Sequence, residues 1–352
     1  MMFSRCSIAI AVSLCLIACT EPDSREEDID KLVAEMSQRV VAPTAREMRG
    51  KLIPRYNQPK TIACLSGEFT VLDDLPDELR HGLFQHPATY PVAARFANAS
   101  KWDDSEKDIR GLSLRVSNVP GETLWGLAAE QDFLFNSYPA LFVATPEEFL
   151  AFMRARQKGD RISLARFFLS PYDAHIRSLI TILKARDKHT SPLDIRYWST
   201  VPSALDNRLA NSDVLPADTQ AVKYSMTPCS AYRTERVVEP GENQLRAAVK
   251  SHLQRAPVCF EFGIQTQTDP VSMPVDDASV IWDEEISPFQ TVATVTFNAQ
   301  SVDDEVTLAR CERRQFNPWQ TLPAHTPLGR MNAVRKAVYA TGAYLRANRS
   351  NP

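Results

Sequence analysis

Apolar and polar positions divide the chain into a helical start, a strand-rich middle and a helical close. Asp28 is a capping residue, and Ile29, Leu32, Val33, Met36 and Val40 follow it at helical spacing, which predicts one helix with a single packing face. After Pro43 the period changes. Residues 63–72 and 93–97 are short apolar or alternating runs, and 111–116 alternates cleanly, so all three predict strands. The helical period returns between residues 146 and 184, opened by Thr145-Pro146-Glu147-Glu148, where Thr145 caps, Pro146 takes the first turn, and Phe149, Leu150 and Met153 fall on the inner side. Residues 221–226, 258–268 and 290–297 are strand-like, with Pro, Asp and Asn clusters between them. Residues 329–348, apolar at Met331, Val334, Val338 and Leu345 and rich in Ala and Arg, predict a closing helix. No repeat, low-complexity tract or linker interrupts residues 48–346, so the pattern describes one domain of the α+β class.

The N-terminus follows a different logic. Arg5 supplies a positive start, residues 7–18 form a short apolar run, and Leu16-Ile17-Ala18-Cys19 ends it with small residues before a cysteine. This resembles a bacterial lipoprotein signal: a small residue precedes the cut, and the Cys19 thiol receives the diacylglyceryl group. The run falls short of the about 20 residues that a membrane-spanning helix needs. An ordinary secretory signal with an incidental cysteine is the alternative. Thr20, in place of Asp, resembles the lipoproteins sent on to an outer membrane. The expected organisation is therefore a signal peptide over 1–18, a lipidated cysteine, acidic tether and first helix over 19–45, and a folded domain over 46–348. The expected location is the periplasmic side of a bacterial envelope, held to the membrane through Cys19.

Composition removes several classes of function. Lys plus Arg is 40 against 43 Asp plus Glu, a net charge of −3, so no broad positive field exists to attract a nucleic acid. With 11 Gly and no G-x-G-x-x-G or G-x-x-x-x-G-K-[ST] string, dinucleotide and P-loop chemistry is unsupported. The six histidines form no H-E-x-x-H pair and no G-x-S-x-G elbow accompanies them, which argues against zinc and serine hydrolases. Cys64, Cys229, Cys259 and Cys311 remain beyond the signal, without C-x-x-C spacing. In an oxidising compartment they form two bridges in any of three connectivities, or stay as buried thiols in a core large enough not to need staples.

The informative strings are ordered along the chain: Arg55-Tyr56-Asn57-Gln58-Pro59-Lys60, Gly67-Glu68-Phe69-Thr70-Val71, Val92-Ala93-Ala94-Arg95-Phe96, Asp108-Ile109-Arg110-Gly111, and the run from Asp132-Phe133-Leu134-Phe135-Asn136-Ser137-Tyr138-Pro139 to Val143. Near the end come Phe316-Asn317-Pro318-Trp319 and Arg335-Lys336-Ala337-Val338-Tyr339. In this order and spacing they resemble the heme catalases, in particular the shorter catalase-related bacterial proteins, over roughly residues 48–344. The resemblance implies an antiparallel β-barrel wrapped by helices, a b-type heme, hydrogen peroxide or an organic hydroperoxide as substrate, and relatives that often form homo-oligomers.

Carried over by position, it implies that Tyr339 is the axial ligand of the heme iron, with Arg335 four residues earlier on the same helix face, since a guanidinium beside a phenol favours the phenolate. Arg55 and Arg95 match the positions that pair with heme propionates, and a planar guanidinium suits a carboxylate. Phe149 falls where the family stacks a phenylalanine on the porphyrin. The departure is on the distal side. Gln58 stands where the family has a histidine that shuttles the peroxide proton, and Ala97 stands where a hydroxyl orients that histidine. An amide neither accepts nor releases a proton near neutral pH. The distal polar residue is Asn136 or Ser137, either of which can hydrogen-bond a peroxide. These departures leave two expectations: a slow catalase- or peroxidase-type oxidoreductase in which Gln58 with Asn136 or Ser137 only positions substrate, or a non-catalytic heme-binding or heme-delivering lipoprotein.

Overall fold

In the computed structural model, which describes residues 24–47, 55–170, 175–211, 214–229 and 240–349, the alternating segments pair into one continuous antiparallel sheet. The signal segment and Cys19 lie outside the described residues. The strands are β1 (Lys60–Val71), β2 (Thr89–Asn98), β3 (Arg110–Ser117), β4 (Glu130–Asn136), β5 (Tyr197–Trp198), β6 (Ser203–Ala204), β7 (Ala221–Pro228), β8 (Val258–Thr266) and β9 (Gln290–Phe297). Pairing runs β1–β2–β3–β4–β5–β7–β8–β9 and returns from β9 to β1, so eight strands close into a barrel and β6 adds to the edge of β7.

Closure removes exposed edges and puts every second side chain inside. Phe69, Phe96, Phe133, Phe135, Phe260, Phe262 and Phe297 fill that interior with Leu, Val and Ile between them. Phe133 and Phe262 meet edge to face with centroids 4.9 Å apart, the geometry that aromatic quadrupoles favour. Sequence periodicity marks six of the nine strands less directly than it does the three cleanest: β4 interleaves the inward Gln131, Phe133 and Phe135 with Asp132, Leu134 and Asn136, so its period of two is masked by a polar inner residue.

The helices are α1 (Ser24–Glu47), α2 (Pro146–Gln157), α3 (Arg161–Leu169), α4 (Ile176–Ala185), α5 (Gln244–Leu253), α6 (Glu305–Arg313) and α7 (Gly329–Arg349). Helix α1 begins four residues before Asp28, which therefore sits within it rather than capping it. The long helical region between 146 and 184 is three helices. Thr145 caps the first by accepting from the Glu148 N–H at 3.3 Å, and Asp160 caps the second by accepting from the Ser163 N–H at 2.6 Å. Leu32, Met36 and Val40 of α1 pack with Leu150 and Met153 of α2 and Val334 of α7, which joins the first and last helices into one layer against the barrel. Among the described residues, no helix is long and apolar enough to cross a membrane. The cysteines pair as Cys64–Cys311, which ties β1 to α6, and Cys229–Cys259, which ties the end of β7 to β8.

Candidate functional site

Register places the site on the outside of the barrel. Antiparallel partners face the same side of a sheet, so the pairs Ala97↔Gly111 and Gly111↔Asn136 form one row across β2, β3 and β4, and Arg95↔Ser113 and Ser113↔Leu134 form the next. Arg95, Ser113 and Leu134 line an open cleft, about 820 Å³ with the solvent space at its mouth included, whose opposite wall is α7, with Val338, Tyr339, Gly342, Leu345 and Arg346 turned into it. Arg55 and Tyr56, from the segment entering β1, close one end, where Gln58 continues onto the barrel wall over Gly111, and Gln315 and Phe316 close another.

The segment that joins α6 to α7 sets this wall against the barrel. Asp132 on β4 accepts from the Asn317 N–H at 2.9 Å and holds Arg115 bidentately at 2.6 and 2.7 Å. Asn317 donates in turn to the Lys336 carbonyl, and the Trp319 indole donates to the Asn332 carbonyl at 2.8 Å, so both ends of Phe316-Asn317-Pro318-Trp319 grip α7. Arg335 stacks over the Tyr339 ring with its guanidinium carbon 5.3 Å from the centroid, and donates to the Asn332 side chain at 2.9 Å. The i, i+4 spacing thus gives a cation on the phenol's face.

Facing Tyr339 across the cleft is Gln58, held in an unusual backbone. Its φ of 58° lies in the left-handed region, which costs a non-glycine residue of order 1 kcal/mol. Its N–H donates to the Ala99 carbonyl at 3.2 Å and its own carbonyl accepts from Arg95 Nη2 at 2.8 Å, so both peptide groups are pinned. The side chain lies on Gly111, where an added Cβ would sit 2.1 Å from Gln58 Nε2, and reaches Asn136 Oδ1 at 3.2 Å. Of the two distal candidates, Asn136 makes this contact. Ser137 instead exchanges bonds with the Arg110 backbone, accepting from its N–H at 2.9 Å and donating its own N–H to the carbonyl at 2.8 Å. Ala97 is fully buried in the Gly111 row and brings no hydroxyl.

At the polar end of the cleft three arginines converge on Glu312. Arg55 Nη1 donates to Glu312 Oε2 at 2.8 Å, Arg95 lies 3.9 Å from Oε1, and Arg346 lies 3.5 Å from Oε2 while also donating to the Glu312 carbonyl. Thr61 bridges the group, donating to Glu312 and accepting from Arg95 Nε at 2.9 Å. Burial raises the Glu312 carboxyl, but Arg55, Arg95, Thr61 and Arg346 outweigh it and hold the group below the ordinary range. Burial, with Arg55 and Arg346 alongside, pushes Arg95 well down, and burial with Arg55 brings Arg346 to about 10. Among the described residues, Arg55 and Arg95 alone already outnumber the single carboxylate, an environment that favours a further anion.

Four residues singled out in the sequence, Arg55, Gln58, Arg95 and Tyr339, therefore line one cleft, with Asn136 behind Gln58 and Arg335 behind Tyr339. Phe149 lies off the lining, packed against Phe142 and Phe152 at centroid distances of 6.0 and 6.4 Å. Sequence reading passed over Arg346 and Glu312. The available signal for Arg346 is its place seven residues after Tyr339, two turns on along one helix face.

No protein-family model and no curated protein matches the chain. Solved structures do. Catalase A from Saccharomyces cerevisiae is similar over 99% of this chain and 67% of its own, with a TM-score of 0.62 and 16% identity. A bacterial catalase is similar over 98% of this chain and 65% of its own, with a TM-score of 0.65 and 16% identity. A fungal catalase is similar over 100% of this chain and 68% of its own, with a TM-score of 0.65 and 15% identity. The chain thus spans about two thirds of the length of these catalases. A closed eight-stranded antiparallel barrel, wrapped by helices and matched along nearly its whole length, gives this chain the catalase-like fold.

Proposed function

We propose that the chain is a heme-binding, catalase-like protein directed at hydrogen peroxide or organic hydroperoxides, with slow turnover at most. The observation that carries this reading is the cleft itself: a phenol on one wall, the Gln58 amide on the other with Asn136 behind it, and an arginine cluster at one end. These residues fit a b-type heme. Tyr339 offers an oxygen to iron with Arg335 on its ring face, and Arg55, Arg95 and Arg346 offer guanidiniums to two propionates. When bound, the heme supplies the redox chemistry that peroxide decomposition requires.

The protein's own contribution is positioning without proton transfer. Gln58 and Asn136 donate or accept hydrogen bonds at the barrel wall, but neither amide takes a proton from peroxide or returns one to a leaving oxygen. Loss of that step is worth a factor of about 10² to 10⁴ in rate. The same observation favours a second reading, a heme-binding or heme-delivering protein without turnover. In either case the two disulfides suit an oxidising compartment, in keeping with export and lipid anchoring at Cys19.

The test is to express the chain from Thr20 onward with heme supplied and record its absorption from the near ultraviolet through the visible. A strong Soret band with the charge-transfer features of ferric high-spin tyrosinate heme supports the reading, and peroxide assays then separate the two forms of it. A folded, colourless protein overturns both.

A further inference from the structure

Helix α6 buries little of its own surface for an element that holds so much of the arginine cluster. Of its nine residues Cys311 is the buried one, and helices this short are marginal without an apolar face to dock. Yet the carbonyls and carboxylate at its C-terminal end receive most of the bonds that orient Arg55: Nη1 goes to Glu312 Oε2 at 2.8 Å, and Nη2 goes to the carbonyls of Arg314 at 2.8 Å and Cys311 at 3.3 Å. Arg346 donates to the Glu312 carbonyl, and Thr61 passes the Glu312 contact on to Arg95. The covalent tie among the contacts that fasten this end of α6 to the barrel is the bond from Cys311 to Cys64, and Cys64 is the antiparallel partner of Arg95 on β2.

We propose that the Cys64–Cys311 disulfide is a redox strap for the cofactor clamp: closed, it seats Glu312 among Arg55, Arg95 and Arg346, and open, it frees α6 and loosens all three. Glu312 is then a positioning residue that acts through the arginines. The inference rests on the reading of the cleft as a heme site. Closing the strap removes two protons and two electrons from the Cys64 and Cys311 thiols and passes them to a disulfide-bearing oxidant, which leaves as a dithiol; a dithiol reductant runs the same exchange backwards. A chain still in a reducing compartment has no seated clamp, so cofactor retention becomes coupled to arrival where disulfides form.

The experiment compares three heme-loaded proteins: the unaltered oxidised chain, the Cys64→Ala/Cys311→Ala variant, and the Cys229→Ala/Cys259→Ala variant as a control for losing a disulfide elsewhere. Transfer of heme to apomyoglobin gives the release rate, and amide hydrogen exchange over residues 305–314 is followed without heme before and after reduction. The expected result is release about tenfold faster from the Cys64/Cys311 variant, the size of losing one charge-assisted hydrogen bond, with the control unchanged. Exchange over 305–314 should rise on reduction and in the Cys64/Cys311 variant alone. Equal release from all three proteins, or equal acceleration in both variants, overturns the strap. If the unaltered chain takes up no heme, the heme reading fails; unchanged exchange over 305–314 then overturns the strap separately.

Discussion

Gln58 reaches Asn136 across 3.2 Å on the outer wall of the barrel, and among the described residues no histidine hydrogen-bonds to either side chain. Two amides close a position where proton transfer needs a titratable group, and Ala97 leaves the neighbouring position apolar. Replacing Gln58 by His and Ala97 by Ser together should therefore add turnover to the heme-loaded protein. Histidine is among the residues that tolerate the left-handed backbone found at Gln58, so the change is compatible with the local chain. Oxygen release from hydrogen peroxide should rise by about 10² or more. A heme-loaded double variant that evolves no more oxygen than its parent would place the distal face elsewhere.

Gly111 is where the barrel makes room for Gln58. A methyl group there would meet the amide at 2.1 Å from Nε2 and 2.2 Å from Cδ, which forces the side chain off Asn136 or the strand outward. Gly111→Ala should cost about 1–3 kcal/mol in urea unfolding, the usual size of overpacking. Adding Gln58→Ala should recover most of that loss, because the clash is with one side chain rather than with backbone. A loss that persists in the double variant would locate the strain in β3 itself.

How far the site is legible in the sequence depends on what each residue's neighbours conceal. Arg335 and Tyr339 stand four apart on a helix whose apolar positions Met331, Val334, Val338 and Leu345 recur at helical spacing, and Arg95 interrupts an apolar strand, so each stands out against its surroundings. Arg346 sits in an Arg- and Ala-rich tail where a buried cation looks like any surface one. Glu312 is harder still. Cys-Glu-Arg-Arg reads as solvated charge, and its carboxylate gains a role only when α6 is laid against β1, a contact between residues 247 apart in the chain. Phe149 shows the opposite limit: its spacing gives the inward face correctly, but not which of the inner layers receives it, and it packs among Phe142 and Phe152. The cysteine pairing is open in the sequence, between three connectivities and buried thiols, for the same reason: closure of the barrel and the placing of α6 on β1 decide which thiols meet.

Tyr339 presents its ring to Arg335 and lines the cleft without belonging to the apolar interior of the barrel. Tyr339→Phe keeps the ring and the cation contact and removes only the oxygen. The unfolding midpoint in urea should move by less than about 0.5 kcal/mol, as for substitutions away from the core. The absorption of the heme-loaded protein should lose its tyrosinate charge-transfer bands, and heme should pass faster to apomyoglobin. Spectra that coincide before and after the change would remove Tyr339 from the iron.

His325 supplies a stability prediction that needs no cofactor. It is buried beneath the barrel, where Nε2 accepts from the Leu83 N–H at 2.9 Å and Nδ1 faces the Tyr224 hydroxyl at 3.1 Å. The first bond needs a bare Nε2, so the ring is neutral with its proton on Nδ1. Burial, with His81 nearby, pushes its pKa down to about 3 from an ordinary value of 6.5. The unfolded chain therefore binds a proton that the folded one refuses between these two values, and stability falls as pH drops through that window, by about 1.4 kcal/mol per pH unit at most. His325→Gln keeps an acceptor for Leu83 and removes the titration. Its unfolding free energy should be lower than the parent's at pH 7 and fall less steeply between pH 6 and about 4. Parallel pH profiles for the two proteins would mean that His325 is already charged in the fold.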